Sequence, residues 1–560
     1  MNDGSLDAPG GPATRRAAAL SALLIFVAAL AAFEPALFNS FAHDDAEQVG
    51  AWPLPAGAGD WLRVPLQPWW PLDRLKHEWR PLTRLTILAQ KAAAGETTWP
   101  YYALNLLLHG AVSVLLLGAA RACGMPRRAA LAGALIFAAH PIHAEAVHQV
   151  VGRAETLAAG WMLLGLWLHA RRPGSAHALW QQPLCYALAL GSKDHAILYP
   201  VYLGLAAAAR GWGGTHPAGG SRGIIGRRRA LLTLALLAVG GTYLVLRARI
   251  TGGLAAAPGE IPFHENPLAR ATFAARWPAV LGIFGYAASR LVYPLGLSPD
   301  YSAYSLPIER GWGWGWTWIG LLILAGLVGG ALRCARQGSG RGAAWLVLGG
   351  LAAWGLTSNA AFPIGVITAE RLWYWPSAAG CLGLGWLAAA GLGRAERRLP
   401  RLFGYGLALI VVLLCAASWH YAGAWRSQAA YAEWTVARFP ASWRGHVNLA
   451  REAYQTREFE RGAAEARIAT RLLPGEEMGW VWLGLNATFL PARRAEAEAA
   501  LRRALELKPA LASVHRNLGN LYQLQGREAE AAEQFRIYLD SPEAADREAI
   551  QERLRSLEGG

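Results

Sequence analysis

Apolar residues fall in blocks, separated by short polar stretches in which arginine recurs. The first block runs from Ala17 to Phe33, directly after Arg15 and Arg16. Others follow at about 101–120, 129–146, 155–170, 178–190, 196–209, 229–246, 315–332, 342–359, 373–393 and 402–421. Blocks of this kind predict helices that cross a bilayer. The block 277–297 is broken by Arg290 and Pro294 and reads as a re-entrant segment or an interfacial hairpin. After residue 421 the blocks stop and a water-soluble part begins. The pattern therefore predicts an all-α chain: a polar tail over 1–16, disordered and cytoplasmic; a membrane domain over 17–421; and a soluble domain over 422–560.

Charge orients the spans. Of the 560 residues, 54% are hydrophobic and only 16% charged, less charge than a soluble chain of this size carries. The net charge of +15 comes mostly from arginine. Arg127-Arg128, Arg171-Arg172, Arg227 to Arg229 and the stretch Arg394 to Arg401 all lie between apolar blocks. A nucleic-acid binder gathers its basic residues on a soluble domain. The observed placement instead follows the positive-inside rule, so no nucleic-acid partner is expected. Starting inside and counting every block except 277–297 gives about eleven spans. Every arginine-rich loop then lies inside. The loop over about 35–100, His140 to Glu155, Asp300-Tyr301, Glu370-Arg371 and everything beyond 421 lie outside. Ala17 to Phe33 is read as an uncleaved span, because the later spans insert without a cleavable signal. Cys123, Cys185, Cys334, Cys381 and Cys415 show neither metal-ligand spacing nor a disulfide framework.

The soluble part repeats. Leu449, Leu483 and Leu518 recur about every 34 residues, as do Pro440, Pro474 and Pro509, which is the tetratricopeptide period. About three units fit within 440–544. The third is the fullest, with Leu518-Gly519, Tyr522, Gly526, Ala529, Ala532, Phe535 and Pro542. Nearly all of these are packing positions; the functional content is the concave face that a stack creates.

Candidate chemistry gathers in the outer loops. The first loop is rich in Trp and Pro, and its stretch from Leu72 to Ala94 reads as helix along the headgroup region. Near its start Asp44 and Asp45 stand side by side, close to a span where charge is costly. Both are expected to face water. Adjacent carboxylates raise each other's pKa, which suits one of them to act as a base; the plainer alternative is a solvated loop. At the loop's other end comes Glu78-Trp79-Arg80-Pro81. Arg80, just ahead of a helix start, suits a phosphate, or simply snorkels to headgroups. His140, His143 and His148 with Glu145, then Arg153 and Glu155, invite a metal reading. The five-residue step from His143 to His148 leaves one helical face, however, and Pro141 follows His140. Polar residues lining an outward cavity are preferred, and neither a metal nor another cofactor is indicated. Lys193 either pairs with Asp194 or faces a lipid-linked phosphate. Glu370-Arg371 is either an ion pair or a phosphate clamp. No Walker loop, dinucleotide fingerprint, serine elbow or zinc motif is convincing. A transferase with its site outside then needs a donor delivered by the membrane, and a polyprenyl-phosphate sugar meets that need.

The order of these stretches is specific. An Asp-Asp loop is followed by "RPLTRLT", "NLLLHG" (Asn105 to Gly110), "HPIHAEAV", "GRAE", "SKDH", "NPLAR" (Asn266 to Arg270), "LSPDYS" (Leu297 to Ser302), "NAAFPIG" and "AERLWYWPS", then by the repeats. The chain resembles the transmembrane and tetratricopeptide-repeat protein O-mannosyltransferases, of the GT-C membrane glycosyltransferase type, over nearly its whole length. The resemblance implies transfer of mannose, with inversion, from a polyprenyl phosphate to Ser or Thr hydroxyls of proteins outside the cytoplasm. Asp44 and Asp45 would be the catalytic pair. Arg80, Arg153, Lys193 and Arg371 form the shortlist for the donor phosphate. Glu78, His109, His140, His143, Glu145 and Glu370 would line the cavity. The implied partners are the lipid-linked donor, protein acceptors held by the repeats, and membrane lipids. Asp194 stands where Glu is commoner, and the repeat array is short. The Ala-, Arg- and Trp-rich composition points to a bacterial inner membrane, a periplasmic site and an undecaprenyl-type donor. Two rival readings are transfer of a lipid-linked oligosaccharide or another glycan, and a scaffold that recruits envelope proteins and for which Asp44 is dispensable.

Overall fold

The computed structural model describes residues 12–70, 78–172, 174–209, 222–336, 341–395, 401–542 and 544–558. The sequence-based expectations for 1–11, 71–77, 210–221 and 396–400 lie outside the described residues. Among the described residues every regular element is helical. The chain divides into two compact units, Met1–Pro299 with Pro307–Ser427, and Asp300–Leu306 with Gln428–Gly560.

The first unit begins with α1 (Pro12–Phe33), the short α2 (Asp44–Gly50) and α3 (Ala58–Arg63), then α4 (Pro81–Ala94). Of the helix expected over Leu72 to Ala94, the described part begins at Pro81, with Arg80 as its N-cap. A proline at the first position has its φ preset and lacks only an N–H that no helix could satisfy. There follow α5 (Trp99–Ala122), α6 (Arg127–Ala139), α7 (Ala144–His148), α8 (Arg153–Arg171), α9 (Ala178–Ser192), α10 (Tyr199–Ala209) and α11 (Arg222–Thr251). The unit closes with α12 (Phe273–Val292), α13 (Gly315–Arg336), α14 (Arg341–Thr357), α15 (Tyr374–Ala395) and α16 (Leu402–Ala422).

Among the described residues five helices are long and apolar enough to cross a membrane: α1, α5, α11, α13 and α16. The pair formed by α6 and the segment Pro141–His148 also qualifies, bent by 52° where Pro141 interrupts the backbone ladder. Leu231, Leu234 and Leu237 of α11 and Leu409, Val412 and Leu413 of α16 are exposed. A bilayer is the solvent that such helix faces need, since their backbone groups are satisfied within the helix.

The segment 277–297, expected to turn back on itself, falls mostly within α12, a single helix of 20 residues. Arg290 lies in its last turn, and Pro294 comes after its end. α12 meets α13 at backbone distance. A methyl at Gly285 would run into the Trp316 carbonyl, and one at Gly320 into the Leu281 carbonyl. α6 and α15 approach in the same way at Gly133 and Gly385. Small residues allow this intimacy, which is how helices associate where no hydrophobic driving force separates them from lipid.

The second unit contains α17 (Gln428–Arg438), α18 (Trp443–Gln455), α19 (Phe459–Leu472), α20 (Glu477–Thr488), α21 (Arg494–Leu507), α22 (Ala512–Leu524), α23 (Glu528–Asp540) and α24 (Arg547–Glu558). Short connections make neighbours of α18 and α19, of α20 and α21, and of α22 and α23, so the chain runs as successive helical hairpins. Gly484 lets Leu501 approach α20, and Gly519 lets the Phe535 ring approach α22. Leu501, Leu518, Tyr522 and Phe535 share one core. The segment Asp300–Leu306 is part of this unit: Arg444 Nη1 lies 3.1 Å from Asp300 Oδ1, and the Tyr301 ring meets Phe439.

Candidate functional site

The two adjacent aspartates part company. His43, with φ of 53°, turns the chain sharply into α2. Asp45 is only 1% exposed. Its Oδ2 accepts from Tyr102 Oη at 3.1 Å and from Val150 N at 2.8 Å, and its Oδ1 accepts from Val151 N at 3.0 Å. The carboxylate therefore ties α2 to α5 and to the turn that precedes α8. The expectation that both aspartates face water fails for Asp45, because its partners lie far away along the chain. Burial pushes its pKa up to about 7, against the pull of these donated bonds. The Asp44 side chain is 18% exposed, and its Oδ1 lies 3.0 Å from His43 Nδ1. It is also one of the carboxylates whose field acts on Arg371.

Arg371 belongs to a charged cluster assembled from several connections. Its Nη1 and backbone N, the latter at 2.8 Å, both bond the Glu145 carboxylate. Arg80 Nη2 lies 2.8 Å from Glu78 Oε2, and its guanidinium sits over the Trp69 ring. Lys193 Nζ is 2.9 Å from Glu155 Oε1, and His195 Nδ1 is 3.4 Å from the other oxygen of that carboxylate. Asp194 faces Arg247 at 3.3 Å and accepts from Tyr243 Oη at 2.7 Å. Burial lowers the pKa of Lys193; Arg80 and Arg371 add to the effect, so Lys193 lies in the field of both arginines. Burial also opposes the charge of Arg371, but Glu145, Asp44, Glu78 and Glu155 together raise its pKa. For Asp194 burial acts upward, and Arg247 with Arg80 outweighs it. Three largely buried cations from the starts or ends of α4, α9 and α15 form an arrangement that can hold an oxyanion with charge-assisted hydrogen bonds.

Neighbours in sequence do not pair here. Lys193 is extended, with φ of −155° and ψ of 141°, so its side chain and that of Asp194 diverge to different partners. Glu370 accepts from Ser298 N at 3.0 Å while Arg371 bonds Glu145. The loop before them is clasped by two asparagines. Asn266 Nδ2 reaches Asn359 Oδ1 at 2.8 Å and the Ile364 carbonyl at 2.7 Å, and Asn359 in turn bonds the Ile367 carbonyl. That clasp places Glu370 and Arg371.

Other sequence candidates lie elsewhere. Arg153 is fully buried and does not join the cations. It donates to Asn105 Oδ1 at 3.0 Å, Gln90 Oε1 at 2.6 Å and the Tyr101 carbonyl at 3.2 Å; Nη1 has no partner among the described residues. His109, His140 and His143 are fully buried too, enclosed among helices instead of lining an open wall. His109 Nδ1 pairs with Tyr374 Oη at 2.8 Å, His143 Nε2 with Ser377 Oγ at 2.7 Å, and His140 Nε2 with the Leu291 carbonyl at 3.2 Å. Phe137 and Tyr374 complete this ring cluster. Sequence reasoning missed Tyr102, Tyr243 and Arg247, which carry no local motif, and assigned no role to His195.

Among the described residues, five bilayer-length apolar helices, with charged clusters built in the connections, indicate a membrane protein of helical type. The chain is similar to protein O-mannosyl-transferase TMTC4 of Mus musculus, at 28% identity over 423 residues, 66% of this chain and 55% of the relative. TMTC4 of Homo sapiens is 26% identical over 427 residues, again 66% of this chain and 55% of the relative. Protein O-mannosyl-transferase Tmtc2 of Drosophila melanogaster is 37% identical over 129 residues, 22% of this chain and 14% of that protein. The chain spans about half the length of the TMTC4 relatives. No protein-family model and no solved structure matches it. The relatives' names support a glycosyltransferase.

Proposed function

We propose that the chain is a membrane glycosyltransferase that moves mannose from a polyprenyl phosphate to Ser or Thr hydroxyls of proteins on the non-cytoplasmic face. The observation that carries this reading is the set of cations Arg80, Lys193 and Arg371, each paired with a carboxylate (Glu78, Glu155 and Glu145), with Lys193 in the field of both arginines and Asp44 acting on Arg371. Asp44 takes the acceptor's proton as its oxygen attacks the anomeric carbon. The bond from that carbon to the phosphate oxygen breaks with inversion, and the three cations hold the charge that the phosphate gains. Asp45 is a positioning residue, since both of its oxygens already accept hydrogen bonds. The helical hairpins of the second unit fit the spacing of about 34 residues read in the sequence, which supports a tetratricopeptide solenoid whose concave face presents acceptor chains.

The test is Asp44→Asn in cells, with glycan mass on endogenous proteins and membrane abundance of the variant as readouts. General-base catalysis contributes roughly 10²–10⁴-fold, so modification should fall on that scale at unchanged abundance. Full modification would leave the scaffold reading standing. The mass of the missing glycan separates a single hexose from an oligosaccharide.

A further inference from the structure

One buried group of the charged cluster has no part in this chemistry as described. His195 lies in the turn after α9, its side chain 11% exposed. Its Nδ1 lies 3.4 Å from one oxygen of Glu155, whose other oxygen pairs with Lys193 at 2.9 Å. The Nε2 atom is buried and has no hydrogen-bond partner among the described residues. The charged groups that act on the ring are Glu155 from α8, Lys193 and Asp194 on its own turn, and Arg80 at the start of α4. α9 and α10, packed on the same turn, bring Tyr186, Tyr199 and Tyr202, and α14 carries Arg341 as its one charged residue. Burial, ahead of every other influence, keeps the imidazole's pKa below its ordinary value, and Glu155 opposes that.

A buried ring nitrogen beside a lysine and an arginine lacks an acceptor. Nδ1 faces the Glu155 carboxylate at 3.4 Å, so a neutral ring that keeps its hydrogen on that side has a bare Nε2; only the imidazolium carries a hydrogen on both nitrogens. We propose that His195 binds the phosphate of the lipid carrier through Nε2, beside Lys193 and Arg80, with Glu155 as the residue that positions both. The inference rests on the transferase reading above. As the acceptor oxygen bonds to the anomeric carbon, the carbon–oxygen bond to the phosphate breaks and its electron pair stays on the phosphate, whose charge goes from one minus to two. The acceptor's proton goes to Asp44. His195 supplies a hydrogen bond and keeps its proton, so this contact strengthens as the phosphate leaves.

The experiment uses the full chain in lipid nanodiscs, with undecaprenyl phosphate as probe and undecaprenol as the phosphate-free control, at pH 6 and pH 8. His195→Asn keeps an amide in the place of Nδ1 and puts nothing at Nε2. His195→Gln carries its amide to the place of Nε2. The unmodified chain should prefer the phosphate to the alcohol, and more strongly at pH 6. Ionisation of the probe by itself acts the other way, making the ligand more negative at pH 8. His195→Asn should bind the phosphate roughly tenfold or more weakly, as for loss of a charge-assisted bond, and lose the pH difference; His195→Gln should recover most of the affinity. Unchanged affinity and pH dependence in His195→Asn, or equal weakening in both variants, would overturn the role of His195 alone. Failure of the unmodified chain to prefer the phosphate would overturn the transferase reading and this inference with it.

Discussion

Arg153 and Arg371 look equivalent in sequence, and the structure separates them, so substituting each makes a sharp test. Arg153→Ala removes a fully buried guanidinium and strands three acceptors: Asn105 Oδ1, Gln90 Oε1 and the Tyr101 carbonyl. Each stranded buried group costs about 1–3 kcal/mol, partly relieved by relaxation. That is a large share of the stability of an ordinary domain. Arg153→Lys keeps the charge but not the planar fork, so it should fall between. Arg371→Ala removes a side chain that is 21% exposed and leaves Glu145 with the Arg371 backbone N. It leaves the buried Glu145 carboxylate without its cation, at a cost of up to about 3–5 kcal/mol, so what distinguishes it from Arg153→Ala is its effect on donor binding and turnover. The assay is the thermal midpoint of the detergent-solubilised protein, read as the fraction still monodisperse after heating, beside binding of the lipid-phosphate donor. Arg153→Ala should lose several degrees or fail to accumulate. A normal midpoint for Arg153→Ala, with donor binding selectively lost, would refute the reasoning and return Arg153 to the phosphate site.

Three further outcomes follow from the geometry. Folded Asp45 holds its proton up to about 7, while the unfolded chain releases it near 3.8. The stability advantage of the unmodified chain over Asp45→Asn should therefore shrink as pH rises from about 4 to about 7, by about 1.4 kcal/mol per pH unit crossed; midpoints measured across that range check it. Gly320→Ala drives a methyl into the Leu281 carbonyl, where backbone cannot give way. It should cost about 1–3 kcal/mol and lower the thermal midpoint, with Gly326→Ala, in open space on the same helix, as the harmless control. Glu145→Gln removes the charge that orients Arg371, so the donor KM should rise more than the midpoint falls; steady-state kinetics beside the melt decides it.

What the sequence made legible was whatever depends on near neighbours. Hydrophobic runs located α5 and α16 within a few residues, because a bilayer-length apolar run has few other solutions. Pro81 announced the start of α4. The hairpins after Ser442 follow from leucine, glycine and proline spacing. Contacts that close over long distances were not legible. Asp45 and Tyr102 are 57 residues apart, and Asp45 and Val150 are 105 apart, so nothing local distinguishes Asp45 from Asp44. For Lys193-Asp194 and Glu370-Arg371 the sequence left adjacent ion pairing and phosphate binding both open; in the structure each side chain finds a partner on another element. His140, His143 and His148 beside Glu145 suggested a polar wall; the structure buries all three, His143 against the Phe137 ring and His148 against the Phe33 ring. Arg290 and Pro294 suggested a break, but both fall at or beyond the end of α12, where a helix tolerates them.

The central claim is that Asp44 works as the base of a sugar transfer from a lipid phosphate. Its most direct test is a reconstituted reaction: the purified full chain in nanodiscs, a polyprenyl-phosphate mannose, and a Ser/Thr-containing peptide, with peptide mass, released lipid phosphate and anomeric configuration all read. The account predicts one hexose on a hydroxyl for each lipid phosphate released, inverted configuration, and loss of roughly 10²–10⁴-fold in rate for Asp44→Asn with its fold intact. No transfer by the unmodified chain, a retained configuration, or an Asp44→Asn variant as fast as the parent would contradict it.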